Sequence, residues 1–355
     1  MEIVGLVVGA TGIAGRGVSQ ELIDRGAKVH GLSRKPEGLG RGVAHVAADL
    51  TNAESVKKAV AGLKPTHVYL TTWSRQANEE ENIRVNAGAV RTLLDAVAPA
   101  RSVVHVALVT GLKHYLGPFD AYVKAGTLPP MPVREEQPRL DIPNFYYAQE
   151  DEVYAAAARH GFTWSVHRPH TIIGKAIGNA MNMGSTLAAY ASICKATGRK
   201  FKFPGSAAQW NGLSDMTDTH ILAKQLLWAS THDFAKNNAY NIVNGDIFRW
   251  SWMWPRIAKW FGVEWEGFTG EPAPLEAQMA DDSGVWKRIV EKHGLVEPDL
   301  ARVASPWHTD LDLGRPIEVM TDMAASRKLG FTAYQNTEEA FHRLFAELRA
   351  DKVIP

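Results

Sequence analysis

Three glycines near the start of the chain have the spacing of a phosphate-binding turn. Gly9, Gly12 and Gly15 follow a short apolar run at residues 3–8, and a helical pattern begins directly after them. Glycine at these places permits a sharp turn, a close backbone approach to a pyrophosphate and tight packing of the helix on the strand. The first amides of that helix would face the phosphates. The contacts predicted for this dinucleotide-binding turn are Gly9, Thr11, Gly12, Ile13 and Gly15.

The residues around the next strand support the prediction of a dinucleotide site and indicate which dinucleotide is bound. Glycine triplets also occur in ordinary turns, but a second strand is predicted at residues 28–33, where a Rossmann-type fold needs it. Ser33 ends this strand and Arg34 and Lys35 follow it, where an NAD site usually has an Asp or Glu to accept hydrogen bonds from the ribose. The guanidinium fork and the second cation suit a 2′-phosphate. We predict NADPH, with Arg16 as a third candidate contact; the competing interpretation is a solvated basic loop.

Length, composition and charge limit the classes of protein that fit. The 355 residues are 45% hydrophobic, which is enough for a large core in one extended α/β unit with a smaller second lobe. The net charge of +1 gives no reason to expect nucleic acid or a membrane surface as a partner. Cys194 is the single cysteine, and the first apolar run is too short for a signal peptide, so a cytoplasmic protein is expected. The histidines are scattered, with no pair at metal-ligand spacing backed by cysteines or carboxylates, so no metal site is expected.

Strands and helices alternate through the first half of the chain. This pattern predicts an α/β fold, a Rossmann-type doubly wound parallel sheet with a smaller, mostly helical C-terminal lobe. We expect residues 1–175 to form the NADPH-binding core, and residues 176–355 to form a substrate-binding lobe interleaved with returning core elements. Most of the tryptophans lie in this second half, as pocket walls or as core residues. The predicted strands are residues 3–8, 28–33, 43–48, 66–73, 102–109 and 162–167, and the predicted helices of the second half include residues 182–197, 217–232, 250–261 and 337–348.

Polar residues follow three further predicted strands. Ligands of open α/β sheets bind beyond the carboxyl ends of the strands, so residues at these ends are candidate cofactor contacts. The carboxylate of Asp49 could accept a hydrogen bond from the adenine amine, or the residue could simply end its strand. The candidates are Asp49 and Leu50, then Thr71, Thr72 and Trp73, and finally Thr110.

Two tyrosines, Tyr146 and Tyr147, are the candidates for the chemical step. Short-chain dehydrogenases/reductases usually carry Tyr-x-x-x-Lys, in which the lysine lowers the pKa of the tyrosine. Here Glu150 and Asp151 occupy the two possible lysine positions. A carboxylate one turn away would raise the pKa of a tyrosine and disfavour a phenolate base. A neutral tyrosine can still donate a hydrogen bond to a developing oxyanion, so the pattern disfavours proton abstraction from an alcohol.

Two segments resemble the progesterone 5β-reductase and iridoid synthase family (PRISE), an atypical branch of the extended short-chain dehydrogenases/reductases. They are residues 110–119, with the sequence TGLKHYLGPF, and residues 144–151, with the sequence NFYYAQED. These motifs are far more specific than a glycine triplet, and the resemblance covers nearly the whole chain. It also takes in the glycine turn, Ser33-Arg34, Thr72-Trp73, residues 164–169, residues 193–195 and residues 241–246.

The resemblance implies a catalytic pair, Lys113 and Tyr146. The implied reaction is NADPH-dependent 1,4-reduction of an α,β-unsaturated carbonyl compound. Hydride goes to the β-carbon, while Tyr146, which also contacts the cofactor, donates a hydrogen bond to the enolate oxygen. Lys113 then supports Tyr146 from a different loop than the usual lysine. Without the resemblance, Lys113 reads as a surface lysine, and both tyrosines read as core aromatics.

The segment at residues 168–172 departs from the plant members of the family, which carry Gly and Asn in place of His170 and Thr171. The resemblance places this loop over the nicotinamide, so a pocket of different shape is expected and steroid activity does not follow directly. His170 is either a proton donor or a polar lid residue. Pro169, Thr171 and Ile172 are the predicted cofactor contacts of this loop, and Trp73, Tyr147 and His170 are the predicted substrate contacts.

The predicted function is therefore reduction of enones or enals, of steroid or monoterpenoid type among others. Two alternatives stay open at this point. A carbonyl reductase would use the same donor and cofactor, and an NADP(H)-binding sensor would keep the fold without turnover. The expected partner is a small unsaturated carbonyl compound, and the long helix predicted from Glu79 suggests a homodimer.

Overall fold

The computed structural model describes residues 2–118, 129–179 and 181–355. The chain divides into two compact units, each made of several segments. The core unit comprises Met1–His170, Thr219–Ile242 and Asp322–Ala333. The second unit comprises Thr171–Asp218, Val243–Thr321 and Tyr334–Pro355. The assignment of cofactor binding to residues 1–175 and of substrate binding to residues 176–355 stays a prediction.

A seven-stranded parallel sheet forms the centre of the core unit. The strands of the chain are β1 (Val4–Val8), β2 (Lys28–Ser33), β3 (Ala44–Ala47), β4 (His67–Leu70), β5 (His105–Val109), β6 (Thr163–Pro169), β7 (Ile172–Ile173), β8 (Phe201–Lys202), β9 (Thr217–Asp218), β10 (Asn238–Ile242) and β11 (Trp265–Glu266). The sheet order is β10-β6-β5-β4-β1-β2-β3. The chain builds outward from β1 and then returns to β4 on its other side, so the order reverses between these two strands. Ligands of open α/β sheets bind in the crevice at such a point.

Helices connect the strands, and the two that matter most for the site begin at asparagine caps. The helices are α1 (Ile13–Asp24), α2 (Ala53–Val60), α3 (Glu79–Val97), α4 (Lys113–Leu116), α5 (Phe145–His160), α6 (Met183–Thr197), α7 (Ala207–Asn211), α8 (Thr219–Thr231), α9 (Trp250–Phe261), α10 (Leu275–Gln278), α11 (Ser283–His293), α12 (Leu300–Val303), α13 (Pro306–Leu313), α14 (Ala324–Lys328) and α15 (Thr337–Ala350). The Asn78 side chain accepts from the Glu81 amide at 2.9 Å, and the Asn144 side chain accepts from the Tyr146 amide at 3.0 Å. These caps fix where α3 and α5 start. Within the described ranges, no helix is both long and apolar enough to cross a membrane.

The predicted α/β fold class, a Rossmann-type parallel sheet, is confirmed. The strands predicted in the first half of the chain are all present, with ends that differ by a few residues. The edge strand β10 was not among the predicted strands. Its sequence NAYNI is interrupted by asparagines, and an edge position beside β6 does not require a continuous apolar run.

Three buried histidines, His67, His105 and His167, lie on neighbouring strands of the sheet. His105 and His167 each place Nε2 2.9 Å from the Ser165 hydroxyl. Burial lowers the pKa of His67 and of His167 to about 4, so both rings are neutral near pH 7. They serve as polar core residues; among the described residues, no group of His, Cys, Asp and Glu is arranged to hold a metal ion.

The second unit is mostly helical and has its own aromatic core. Trp250, Trp254 and Trp286 are fully buried, and Trp254 stacks on Phe201 with ring centroids 4.0 Å apart. For these three tryptophans, the core interpretation is the one that the structure supports. Trp252 and other aromatic residues of this half are exposed.

Candidate active site

The glycine turn after β1 is shaped by its backbone. Gly9 has a φ of +83°, and a side-chain carbon there would lie 2.5 Å from the Thr72 Cβ atom. A side-chain carbon at Gly15 would lie 2.2 Å from the Gly9 carbonyl oxygen, so the helix could not pack this closely on the turn. Gly12 precedes α1 without a side-chain cap, and the first turn of α1 contains no acidic residue. The first amides of α1 are therefore suited to an anion.

Basic side chains follow β2 next to this turn. Arg34 and Lys35 are exposed, and the Ser33 hydroxyl donates to the Lys35 carbonyl oxygen at 2.7 Å, which fixes the bend between them. Arg16, on the first turn of α1, donates to the Gly38 carbonyl oxygen and so connects the helix to the loop after β2. The three cations thus belong to adjoining segments of the core unit, as a 2′-phosphate site requires.

The residues predicted at the end of β3 have local partners. The Asp49 carboxylate accepts from the Thr51 amide at 2.9 Å and from the Thr51 hydroxyl at 2.8 Å. The bond from the backbone amide, followed by that from the hydroxyl, lowers the pKa of Asp49. Leu50 packs partly against the hydrophobic core. These contacts explain the turn after β3, and contact of either residue with adenine stays a prediction.

The ends of β4 and β5 bring polar groups towards the glycine turn. The Thr71 hydroxyl donates to the Val8 carbonyl oxygen at 2.7 Å, and Thr72 lies directly against Gly9. The Thr110 amide donates to the His167 carbonyl oxygen at 2.8 Å, which joins the end of β5 to β6. Thr71, Thr72 and Thr110 therefore follow adjacent strands, as predicted from the order of elements, while their contact with a cofactor stays a prediction.

Lys113 begins α4 just beyond β5, and its side chain is buried among aromatic rings. It is only 7% exposed, although a lone loop lysine is usually solvated. Its ammonium lies 4.4 Å from the ring centroid of Trp73, 4.8 Å from that of Phe145 and 5.6 Å from that of Tyr146. Cation–π attraction stabilises a cation in such surroundings. The structure therefore brings together three predicted site residues, Trp73, Lys113 and Tyr146.

Tyr146 lies in the first turn of α5, and its ring packs on that of Phe145 with centroids 4.4 Å apart. Its hydroxyl lies beside Gly111, where an added side-chain carbon would lie 3.4 Å from the hydroxyl oxygen. Asn144 connects α5 to α4, because its side-chain amide donates to the Lys113 carbonyl oxygen at 2.8 Å. Asn144 received no role from the sequence, although an asparagine before a helical pattern is a signal of a cap.

The acid that replaces the usual lysine, Glu150, is buried and paired. Its carboxylate accepts from Arg139 at 2.8 Å and from Arg168 at 3.5 Å, and His114 Nδ1 lies 3.7 Å away. Burial alone would raise the pKa of Glu150, but the contact with His114 and the charges of Arg168 and Arg139 hold that pKa below its ordinary value. Two guanidinium groups thus compensate the negative charge beside Tyr146. Arg139 was not predicted, since nothing local marks its pairing with a distant helix.

Tyr147 and His170 are the two other predicted substrate contacts. The Tyr147 hydroxyl donates to the His114 carbonyl oxygen and accepts from the Leu140 amide at 3.0 Å. His170 is buried at the end of the core unit. A substrate contact by either Tyr147 or His170 stays a prediction.

The strand-end loop after β6 crosses from one unit to the other. Pro169 ends β6, whereas Thr171 and Ile172 belong to the second unit. There the Thr171 hydroxyl donates to the Asp312 carboxylate at 2.7 Å, and Ile172 forms part of β7. Their cofactor contacts stay predictions, and Phe119, the last residue of the loop motif, lies outside the described residues.

These features define a class: an α/β protein of the Rossmann dinucleotide-binding type, with a lysine and a tyrosine at the carboxyl edge of its sheet. A solved structure of UDP-glucose 4-epimerase from Thermus thermophilus, in complex with NAD, matches with a TM-score of 0.66. The match covers 98% of this chain and 99% of that chain at 16% sequence identity. At this identity the likeness concerns the fold alone.

The family is set by closer relatives. Residues 43–355 match the family described as a PRISE-like Rossmann-fold domain. An (S)-8-oxocitronellyl enol synthase from Nepeta cataria is 35% identical over 100% of this chain and 94% of the relative. A 3-oxo-Δ(4,5)-steroid 5-beta-reductase from Arabidopsis thaliana is 36% identical, again over 100% of this chain and 94% of the relative. The chain belongs to the PRISE-like family, and the resemblance found in its sequence is confirmed.

Proposed function

We propose that the protein is an NADPH-dependent oxidoreductase that reduces the carbon-carbon double bond of α,β-unsaturated carbonyl compounds. The observation that carries the proposal is the buried Lys113 ammonium against the ring of Tyr146 in a Rossmann-type core unit. The Arabidopsis relative is named for a steroid with a 3-oxo group and a Δ(4,5) double bond, which together make a conjugated enone. The Nepeta relative is named an enol synthase. An enol forms when hydride adds to the β-carbon of an enal and the oxygen takes a proton.

The described residues fit the cofactor. Gly12, which has no side chain, directly precedes α1, and Arg16, Arg34 and Lys35 supply positive charge where a 2′-phosphate would be held. The two residues directly after β2 are Arg34 and Lys35, so no carboxylate stands there to repel that phosphate. When bound, NADPH supplies the hydride that adds to the β-carbon of the substrate.

The chain's own residues stabilise the charge that develops on the substrate. Tyr146 donates a hydrogen bond from its hydroxyl to the carbonyl oxygen, which becomes negative as the enolate forms. Lys113 adds a positive charge beside the ring of Tyr146 and, because it is buried, it acts with little screening by water. No proton has to be removed from an alcohol. An acid at position 150 in place of the usual lysine is therefore compatible with the reaction.

The test is identification of the product by mass spectrometry and NMR. The protein is incubated with a panel of cyclic enones, enals and simple ketones and with NADPH that carries deuterium at C4 of the nicotinamide. We expect a saturated carbonyl product with deuterium on the β-carbon. An alcohol with deuterium on the former carbonyl carbon would replace the proposal with carbonyl reduction, and NADPH binding without oxidation by any panel member would favour a sensor.

The cellular setting and assembly are also proposals. A cytoplasmic location is consistent with the single cysteine, Cys194, which is free and buried. Pairing of two copies through the long helix α3 would give a homodimer. The 19 residues of α3 are enough for such an interface, although they also pack on α5 within the core unit.

A further inference from the structure

We propose that Glu150 is a positioning residue, which holds the short helix α4, where Lys113 lies, in place against α5, where Tyr146 lies. The inference rests on the proposed function for its catalytic consequence, but its structural content can be measured without turnover. In this chain the position four residues after Tyr146 keeps a role in the site, although an acid has replaced the base.

The first observation is how α4 and α5 are joined. The Lys113 carbonyl oxygen accepts from the Asn144 side chain at 2.8 Å, and the next carbonyl oxygen, that of His114, accepts from the Tyr147 hydroxyl. Both donors belong to the start of α5, on either side of Tyr146. Two successive backbone groups of α4 are therefore set against α5, and the distance between Lys113 and Tyr146 depends on these bonds.

The second observation is that the Glu150 carboxylate lies among charged and polar groups beside the contact between α4 and α5. Its carboxylate is 1% exposed, and it receives Arg139 on one oxygen, with Arg168 and the His114 ring near the other. Burial lowers the pKa of His114, so that ring contributes a neutral contact near pH 7. A buried carboxylate with these partners is costly to disturb, because the buried Arg168 guanidinium would lose this counter-charge in a poorly hydrated place.

The third observation is that Arg139 extends the same arrangement to Tyr147. Its guanidinium lies 4.9 Å from the Tyr147 ring centroid and donates to the Tyr147 carbonyl oxygen at 3.4 Å. The neighbouring Leu140 amide donates to the Tyr147 hydroxyl at 3.0 Å, which directs that hydroxyl's own proton to His114. Glu150 therefore acts on Lys113 along two routes, through the His114 ring and through Arg139 and Tyr147.

The experiment compares Glu150→Gln with Asp151→Asn. Asp151 pairs with the same guanidinium at 2.8 Å, but it is 61% exposed and has no contact with α4 among those described. We expect Glu150→Gln to lower kcat about 10- to 100-fold, since small misplacements of catalytic groups have effects of this size. KM for the enone and Kd for NADPH should stay within about twofold, and Asp151→Asn should change kcat by less than about twofold. Glu150→Asp should recover part of kcat.

A second readout reports the position of Lys113 without turnover. The protein is labelled with ¹³C at the lysine ε-carbon, and the Lys113 signal is assigned with Lys113→Arg. Its ammonium lies 4.4 Å from the Trp73 ring centroid, so ring currents should shift this signal in the wild type and in Asp151→Asn. In Glu150→Gln the signal should move towards those of exposed lysines. Arg139→Lys, which keeps the charge at a partly exposed site, should show a smaller change of the same sign.

The outcomes separate the two proposals. If the wild type reduces no enone, the proposed function fails, and the NMR shift alone decides the positioning. An unchanged Lys113 signal together with full kcat in Glu150→Gln would overturn the inference. The inference would also be overturned if Glu150→Gln and Arg139→Lys each kept the same fraction of activity as of NADPH-binding capacity. Each variant would then have lost folded protein, and its remaining folded molecules would be as active as the wild type.

Discussion

The glycine turn and the Lys113–Tyr146 pair are built by different means within one core unit. In the turn, close approach is a property of the backbone, since an added carbon at Gly15 would lie 2.2 Å from a carbonyl oxygen. Around the pair, close approach comes from side chains of separate segments, with Lys113 held among aromatic rings and Asn144 bonded to its carbonyl oxygen. One region depends on the absence of side chains, and the other depends on several large ones.

Under the proposed function, cofactor binding and the chemical step depend on separate regions of the core unit. Changes at the glycine turn should alter cofactor affinity and stability, whereas changes at the pair should alter the rate of the chemical step. A turn variant that changed only the rate, or a variant of the pair that changed only cofactor affinity and stability, would contradict this separation.

The largest expected effect comes from Tyr146→Phe, which removes one hydroxyl and leaves the ring packed on that of Phe145. Loss of a single oxyanion donor costs about 1 to 4 kcal/mol of transition-state stabilisation, or roughly 5- to 1000-fold in kcat. NADPH binding should be nearly unchanged. Steady-state kinetics on an enone and fluorescence titration with NADPH measure the two quantities.

Tyr334→Phe is the matched control for this substitution, because Tyr334 is 58% exposed and lies in the second unit. It loses the same hydroxyl and should keep wild-type kcat. Full activity of Tyr146→Phe would refute the role given to its hydroxyl, and an equal loss in both variants would point to a general effect on the protein.

The same difference explains what the sequence could predict. The turn can be predicted from the sequence because Gly9, Gly12 and Gly15 lie in one local segment between a strand and a helix, and their role follows from lacking a side chain. The burial of Lys113 cannot be predicted from its sequence neighbours, because a lone lysine after a strand is usually exposed. Packing against residues far along the chain leaves it only 7% exposed. The family motif located it, because a motif records such packing.

Pairings between distant segments are the part that sequence reasoning could not supply. Glu150 was expected to act on Tyr146 as an uncompensated carboxylate, but Arg139 and Arg168 neutralise it. Arg139 comes from the segment before α5 and Arg168 from β6, and no periodicity indicates that they meet at one helix position. Likewise, β10 completes the sheet edge from a part of the chain whose apolar pattern is weak.

The next effect in size is that of Gly15→Ala, which tests the backbone side of the comparison. The added carbon meets the Gly9 carbonyl oxygen at 2.2 Å, so the turn and α1 must move apart. Overpacking of this kind costs about 1 to 3 kcal/mol in the free energy of unfolding. Because the turn proposed to bind the phosphates is displaced, affinity for NADPH should fall too, while kcat at saturating NADPH should change little.

Gly284→Ala provides the control, since Gly284 is in the first turn of α11 and its added carbon meets only the tip of Arg288 at 3.8 Å. Its free energy of unfolding should stay within about 0.5 kcal/mol of the wild type. Chemical denaturation and NADPH titration measure both variants. Gly15→Ala with wild-type stability and affinity would show that the turn tolerates a side chain, contrary to the geometry.

The smallest expected effect is that of Arg34→Asp, which changes cofactor choice within the backbone-built region. Arg34 is exposed after β2, so water and salt weaken its contact with a 2′-phosphate, and the loss should be about 1 to 2 kcal/mol. The ratio of the Kd values for NADPH and NADH should therefore rise about tenfold, because the new carboxylate repels the phosphate and can accept from a free ribose.

Lys57→Asp, on the exposed face of α2, makes the same change in net charge and should leave the ratio unaltered. An unchanged ratio in Arg34→Asp would assign the basic loop to solvent and would leave the glycine turn without a reason to prefer NADPH. A shift in both variants would instead trace the preference to the overall charge of the protein, and the choice of cofactor would then not be a local property of this turn.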